Sequence, residues 1–272
     1  MAEFLSDRNF ERFKDLIYNE SGITFSVTNR SILESRLKDR LRENKMDDIN
    51  GYYKILTSNK EELKIMLDSV TTNLTRFFRN QPHFDALIHY VIPEMVKIKQ
   101  AAGQKQIHIW SAGCSTGEEP YTIAMIMKRH LPPGFTADIL ASDLSFKSLV
   151  VGKQGFYPES RVVGIPDDYL AQYLTKQGNG YQMNPEIMQM IKFDYHNLKH
   201  DANRNNIDLL FCRNVIIYFD EPAQQEVINR FWDAMAPHSF LFIGHSESLF
   251  GMDTKFEFLK TEWACLYQKN VK

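Results

Sequence analysis

The 272-residue chain predicts an α/β fold: a mainly parallel sheet with helices on both faces, preceded by a small all-helical domain and carrying a small β-hairpin insertion. Three observations predict it. After residue 104, short apolar runs such as IHIWSA, TADILASD and IDLLFC each precede a stretch of helical periodicity, the signature of strand-helix units. Before residue 100 no strand-like alternation appears. The last two apolar runs, 256–259 and 264–267, have no helix between them, which gives the parallel sheet an antiparallel end.

In chain order, Phe10, Phe13, Leu16 and Ile17 recur at helical spacing, and Ser21-Gly22 stops that first helix. The second helix covers 31–44, with Leu33, Leu37 and Leu41 as an i, i+4, i+8 stripe flanked by Arg36, Lys38, Arg40 and Arg42. Shorter helices near 52–56 and 61–67 complete a helical domain, 1–75, near the lower size at which a domain folds alone. A helix at 83–98 leads into the second domain, 76–272. There the first strand is followed by a small-residue turn and a helix opening at Pro120. TADILASD with SFKSLVVGK repeats the unit, IDLLFCRN with 222–235 repeats it again, and a strand follows at 240–243. Between Tyr157 and Lys192 the repeat breaks. YLTKQ and YQM around Gly178-Asn179-Gly180 read as a hairpin in an insertion at about 170–190.

Composition excludes several function classes. Hydrophobic content of 43% and charged content of 24% are those of a globular protein, which removes disorder and coiled coil. A net charge of -2 removes nonspecific coating of nucleic acid, which needs a surplus of phosphate-neutralising side chains. Cys114, Cys212 and Cys265 are odd in number and far apart, so neither a disulfide framework nor a zinc ribbon is expected, and a reducing compartment is. The N-terminus is charged throughout and no apolar run approaches the roughly 20 residues of a membrane span, so a soluble, cytoplasmic protein is expected.

The loop 111–119 lies at the carboxyl end of a strand, where parallel sheets bind ligands. Gly113-x-x-x-Gly117 lacks a full dinucleotide fingerprint, and no Lys-Ser/Thr follows Gly117, so a triphosphate site is not expected. Glu118 and Glu119 would repel a pyrophosphate and suit a cationic or hydroxyl-bearing ligand, or they simply complement the helix dipole. Asp143 ends the second strand about 30 residues after Gly113, where nucleoside-binding folds place an acid for ribose hydroxyls, although Ser142-Asp143 can also cap the next helix. A glycine loop plus an acid without a phosphate cradle points to a nucleoside lacking phosphate, and S-adenosylmethionine is the common cofactor that fits. Arg213-Asn214 after the fourth strand, with Tyr218 following, would face the same crevice or simply exit it. Asn197-Leu198 after the third strand is a weaker signal. Cys212, in the run IDLLFC, reads as a buried thiol. In TTNLTRFFRN, Asn73, Thr75 and Arg79 can cap a helix or reach a ligand, Phe77 and Phe78 are core anchors docking the helical unit, and spacing alone makes the segment a linker.

Together TTNLTRFFR, WSAGCSTGEEPYTIA, LASDLS, FCRNVIIYFD and LFIGHSESL, in this order, resemble the chemotaxis receptor glutamate O-methyltransferases of the CheR type over nearly the whole chain. The resemblance implies a seven-stranded methyltransferase (Rossmann-like) fold that binds S-adenosylmethionine without a metal and methylates receptor glutamates, forming methyl esters. It implies cofactor contacts at Asn73, Thr75, Arg79, Glu119, Asp143, Asn197, Leu198, Arg213 and Asn214, above the loop of Gly113. Glu118 is the alternative to Glu119. Tyr218 takes the position beside the transferred methyl, and Arg79 and Tyr218 are the expected catalytic pair. The turn in TKQGNGYQM is shorter than in members tethered to a pentapeptide at the receptor tail, so tethering is expected to be absent. Recognition is then expected through the basic helix that carries Arg30, Arg36, Lys38, Arg40, Arg42 and Lys45 against Glu34, Asp39 and Glu43, a local surplus of three positive charges suited to acidic receptor helices. A monomer that binds no nucleic acid and meets the membrane only through receptors is expected. Two readings stay open at this point: a methyltransferase with another acceptor, and an S-adenosylmethionine-binding adaptor without turnover.

Overall fold

A serine and a glycine bracket the first helix of the computed structural model, which describes residues 4–71 and 73–270. Ser6 accepts from the Asn9 N–H at the start of α1 (Asp7–Ser21), and Gly22 closes it in the left-handed region (φ 77°) with its N–H on the Tyr18 carbonyl at 2.8 Å. Phe10, Phe13 and Ile17 are buried. A 3-10 turn (Val27–Asn29) leads into α2 (Arg30–Glu43), and α3 (Ile49–Ser58) and α4 (Lys60–Val70) follow, capped by Asp48 and Asn59. The leucine stripe of α2 is buried as its spacing predicts.

Beside that stripe lies a polar knot. Glu62 accepts from Arg40 Nε at 3.0 Å and Nη2 at 2.7 Å, from the Tyr52 hydroxyl at 2.7 Å and from Asn44 Nδ2 at 3.0 Å. This corrects one expectation: Arg40 belongs to the interior of the helical bundle, because a buried Glu62 needs a counter-charge. Arg36, Lys38, Arg42 and Lys45 remain exposed on or just after α2.

The chain divides into two compact units, Met1–Thr72 with Tyr218–Gln224, and Asn73–Ile217 with Gln225–Lys272. The late segment joins the first unit through an antiparallel bridge between Ile23 and Phe219 and through the Thr24 N–H on the Tyr218 carbonyl at 3.0 Å. A Cβ at Gly22 would lie 2.8 Å from the Phe219 ring, so the glycine both ends α1 and admits that ring.

The second unit opens with α5 (Gln81–Ala86), a π turn (Leu87–Val91) and α6 (Ile92–Ala101) in one helical run. Pro93 has no N–H for the ladder, and the wide turn before it absorbs the mismatch. Then come β1 (Gln106–Ala112), α7 (Glu118–His130), β2 (Thr136–Asp143), α8 (Phe146–Gln154), β3 (Phe156–Pro158), α9 (Glu159–Val162), α10 (Asp167–Tyr173), β4 (Leu174–Gln177), β5 (Gly180–Met183), α11 (Pro185–Met188) and β6 (Ile191–Tyr195). After β7 (Ile207–Cys212) and a 3-10 turn (Ile216–Tyr218) the chain closes with α12 (Glu221–Ala234), β8 (Met235–Ile243), β9 (Glu257–Lys260) and β10 (Cys265–Lys269).

The main sheet has seven strands in the order β6-β2-β1-β7-β8-β10-β9, parallel from β6 to β8 and antiparallel at β10 and β9. All six residues of β7 are buried, which is why it reads as an apolar run rather than an alternation. Phe211 stacks on Phe242 at 4.2 Å, and the Trp110 indole donates to Ser142 Oγ at 2.9 Å, so strands are held in register by side chains as well as by the ladder.

Two boundaries differ from the sequence reading. Helix α7 begins at Glu118, with Pro120 as its third residue, because any first-turn position lacks an N–H partner and tolerates proline equally. The predicted hairpin is present as β4 and β5, but β3 pairs with β5 to give a separate three-stranded sheet, β3-β5-β4. A three-residue strand is too short to show a period of two.

Candidate functional site

From β1 the sheet proceeds to β2 on one side and to β7 on the other, and at such a switch point the loops leaving two adjacent strands open a crevice. Gly113 stands at φ 80°, and a Cβ there would lie 2.4 Å from Val215 Cγ2, so the loops after β1 and β7 meet only because that side chain is absent. The N–H groups of Gly113 and Cys114 donate to the Ser142 carbonyl at 2.8 and 2.9 Å, which ties the glycine loop to the end of β2. Asp143 continues the tie. Its Oδ2 accepts from the Ser115 N–H at 2.7 Å and its Oδ1 from the Ser145 N–H at 2.8 Å. The cap of α8 is Ser145, whose hydroxyl accepts from the Ser148 N–H at 3.1 Å, so capping does not account for Asp143.

The two glutamates at the start of α7 have different surroundings. Glu118 is fully buried, paired with Arg161 of α9 and accepting from Thr116 Oγ1 at 2.7 Å, while the Tyr157 hydroxyl donates to the Thr116 carbonyl at 2.7 Å. Its carboxylate fastens the glycine loop to the chain around β3. Glu119 accepts from the Ser111 hydroxyl at 2.7 Å and faces Arg213 Nη1 at 3.2 Å. Burial pushes the Glu119 carboxyl up and the Arg213 guanidinium down, and each partly offsets the shift of the other.

Arg213 is buried, lies over the Phe84 ring and donates through Nη2 to the Arg79 carbonyl, joining the chain before α5 to the crevice. Arg79 is half-buried with Nη1 on the Leu74 carbonyl at 2.8 Å; Thr75 is half-buried and Asn73 exposed. The segment read as a linker is anchored here. The Phe78 N–H donates to Thr122 Oγ1 at 3.2 Å, and Phe77 meets Tyr157 edge-on at 4.9 Å, so both residues are anchored in the core of the sheet unit.

At the far side, the His196 N–H donates to the Asp143 carbonyl at 3.1 Å, which sets Asn197 and Leu198 beside the end of β2. Asn197 Oδ1 accepts from the Lys199 N–H at 3.0 Å, and Arg230 Nη1 reaches the Leu198 carbonyl at 3.3 Å. Asn214 is in the left-handed region, φ 60°, with its N–H on Glu247 at 2.8 Å. The structure therefore gathers Gly113, Glu119, Asp143, Asn197, Leu198, Arg213, Asn214 and the backbone of Arg79 along one line of strand ends. Tyr218 is half-exposed and belongs to the first unit. Cys114 and Cys212 are buried, and burial pushes both thiols well above their ordinary range, which makes them packing groups.

Three residues escaped the sequence reading. Tyr157 and Arg161 act from β3 and α9, and Glu247 acts on backbone N–H groups. The only sequence signal of Glu247 was its place in LFIGHSESL.

Among the described residues near the carboxyl ends of β1 and β7, three buried polar atoms have no hydrogen-bond partner: Ser115 Oγ, Arg213 Nε and Asn214 Oδ1. Orphaned donors and acceptors in a native interior call for a ligand or water. With an acid at the end of β2 and no phosphate cradle, they fit S-adenosylmethionine, a nucleoside with an amino-acid tail. A second concavity of about 660 Å³ opens at the amino ends of β1, β7 and β8, lined among others by Lys99, His108, Asp208 and His238.

Comparison with known proteins gives a family match to both parts of the chain. Residues 8–71 match the family model described as CheR methyltransferase, all-alpha domain, and residues 73–265 match CheR methyltransferase, SAM binding domain. The chain is 35% identical over 248 residues to a chemotaxis protein methyltransferase of Borreliella burgdorferi, covering 88% of each chain. It is 34% identical to that of Escherichia coli K12, covering 93% of this chain and 88% of the relative. To chemotaxis protein methyltransferase 2 of Vibrio cholerae it is 32% identical, covering 90% and 87%.

Proposed function

The chain belongs to the CheR methyltransferase family, and from that premise we propose that it transfers a methyl group from S-adenosylmethionine to glutamate side chains of chemotaxis receptors, forming methyl esters. The observation that carries the reading is the switch-point arrangement itself: the tight Gly113 loop, the Asp143 carboxylate at the end of β2 and the Glu119–Arg213 pair, with no phosphate cradle. When bound, the cofactor supplies a methyl group made electrophilic by its sulfonium.

A glutamate carboxylate, with an ordinary pKa near ~4.3, is already ionised at neutral pH, so this reaction needs no general base. What the protein supplies is alignment and exclusion of water, which contribute on the order of 7 to 11 kcal/mol when the bound geometry is close to the reacting one. In this reading Asp143 accepts from the ribose hydroxyls. Arg213 and Asn214 hold the amino-acid portion together with Asn73, Thr75, Asn197 and Leu198. Glu119 keeps Arg213 charged and in place. Arg79 offers its guanidinium to a carboxylate, and Tyr218 orients the acceptor.

The exposed Arg36, Lys38, Arg42 and Lys45 suit acidic receptor helices. The β4–β5 turn holds only Gly178 and Asn179, which favours recognition without a tethered receptor tail. No helix of the described residues is long and apolar enough to cross a membrane. In this reading the enzyme is a cytoplasmic monomer that meets the membrane through its receptors.

The test is incubation with radiolabelled S-adenosylmethionine and receptor membranes. Label released as methanol by base identifies an ester. Stable label points to another acceptor atom, and no label on the receptor defeats the reading. Tyr218→Phe is expected to lower turnover more than cofactor affinity.

A further inference from the structure

One carboxylate sits where four backbone N–H groups converge. Glu247, in the loop after β8, accepts from the N–H groups of Asn214 (2.8 Å), Val215 (3.0 Å), Ile217 (3.3 Å) and Gly244. A cluster of backbone N–H groups is a nest for an anion, and here a side chain of the chain itself fills it. The approach is close enough to require glycine at 244, since a Cβ there would lie 2.5 Å from Glu247 Oε2 and 2.9 Å from the Asn214 nitrogen.

The donors are not a random turn. They belong to the segment that leaves β7 through Arg213 and Asn214, and Ile217 immediately precedes Tyr218 along the chain. Asn214 is held in the left-handed region while its Oδ1 remains buried and without a partner. An unsatisfied side chain on a strained turn would relax toward its own backbone unless the turn were held from outside. The Glu247 oxygens hold it, one on Asn214 and Gly244, the other on Val215 and Ile217.

We propose that Glu247 is the positioning residue of the cofactor site: its carboxylate fixes the Asn214–Ile217 backbone so that Asn214 meets the cofactor preformed. The proposal rests on the reading that Arg213 and Asn214 bind S-adenosylmethionine. It differs from a plain loop staple in its consequence, because a staple alters stability whereas a positioning residue alters cofactor affinity at constant fold.

The experiment uses the full chain and measures S-adenosylhomocysteine affinity by calorimetry, the Michaelis constant for S-adenosylmethionine, and the thermal midpoint. Glu247→Gln turns an amide NH2 toward two of the N–H donors, and it is expected to weaken binding about tenfold or more, the loss of charge-assisted hydrogen bonds, with the Michaelis constant rising in step. Glu247→Asp keeps both oxygens on a shorter stem and is expected to fall between Gln and wild type. If Glu247→Gln does not fold, Glu247→Asp decides, and wild-type affinity in it overturns the proposal. Asn214→Ala separates the two levels. Weakened binding in Asn214→Ala with wild-type binding in Glu247→Gln removes the positioning role and leaves the cofactor site standing. Wild-type binding in Asn214→Ala removes the cofactor assignment on which the proposal stands. Asp208→Asn, at the opposite end of β7, is expected to lower the thermal midpoint without moving the Michaelis constant; if it moves both in the same ratio as Glu247→Gln, Glu247 is only a staple.

Discussion

The two ends of β7 each carry a buried ion pair, and they are built for opposite purposes. At the amino end, Lys99 Nζ meets Asp208 Oδ2 at 2.8 Å, the His108 N–H donates to the same oxygen at 2.8 Å, and Gln104 is a further partner of Lys99 at 3.3 Å. At the carboxyl end, Arg213 meets Glu119 at 3.2 Å and leaves its Nε without a partner, one residue from the orphaned Asn214 Oδ1. The concavity of about 660 Å³ opens at the amino end, where His108 and Gln104 complete the Lys99–Asp208 pair, although Ser239 Oγ at the same end of the neighbouring β8 has no partner. The two pairs therefore differ in completeness: one has its donors and acceptors engaged, whereas the other leaves a guanidinium N–H unused, and an incomplete pair retains the capacity to bind.

That contrast can be broken. Lys99→Met strands the Asp208 charge in the interior and is expected to cost about 3–5 kcal/mol in urea unfolding, with S-adenosylhomocysteine affinity unchanged. A parallel loss of affinity would mean that the two ends are one cooperative site. A smaller effect is expected at the carboxyl end from Gly113→Ala, which meets both the 2.4 Å approach to Val215 and a φ of 80°. Stability should fall by about 1–3 kcal/mol and cofactor affinity should fall with it. Gly113→Ala combined with Val215→Ala should recover only the steric part.

Acid acts on the carboxyl end through a histidine packed beside Arg213. His83 is buried, and burial, with the nearby charges of Arg213 and His245, lowers its pKa to about 4. The unfolded histidine, near ~6.5, takes a proton before the folded one does, so stability falls as pH drops through that window and is recovered above it. Between about pH 7 and pH 5 this amounts to about 2 kcal/mol, and His83→Leu should flatten that part of the urea-midpoint profile. A profile unchanged by the substitution would assign the acid sensitivity elsewhere.

Much of this was legible in the residues, and the failures share a cause. β1, β2 and β7 were readable because buried parallel strands are apolar runs, and α2 because three leucines four apart need one face. β3 was not, since three residues carry no period. Arg40 read as solvated because it lies among other basic residues, whereas its partner Glu62 is 22 positions away. In the site, Asp143, Arg213 and Asn214 could be placed at strand ends, but Glu118 and Glu119 were indistinguishable as neighbours. The helix turns their side chains about 100° apart, one toward Arg161 and one toward Arg213. Glu247 was invisible as a working residue because its partners are peptide groups, which every residue has.

The late segment Tyr218–Gln224, which bridges to Ile23 and lays Phe219 over Gly22, has a consequence for building chimeras. The helical unit is not a cassette that ends at residue 72. Swapping N-terminal halves between relatives would pair a foreign α1 terminus with a resident Phe219. A transplant that carries 218–224 along with the first 72 residues moves a complete folding unit, whereas a cut at the apparent boundary moves most of one and strands the remainder.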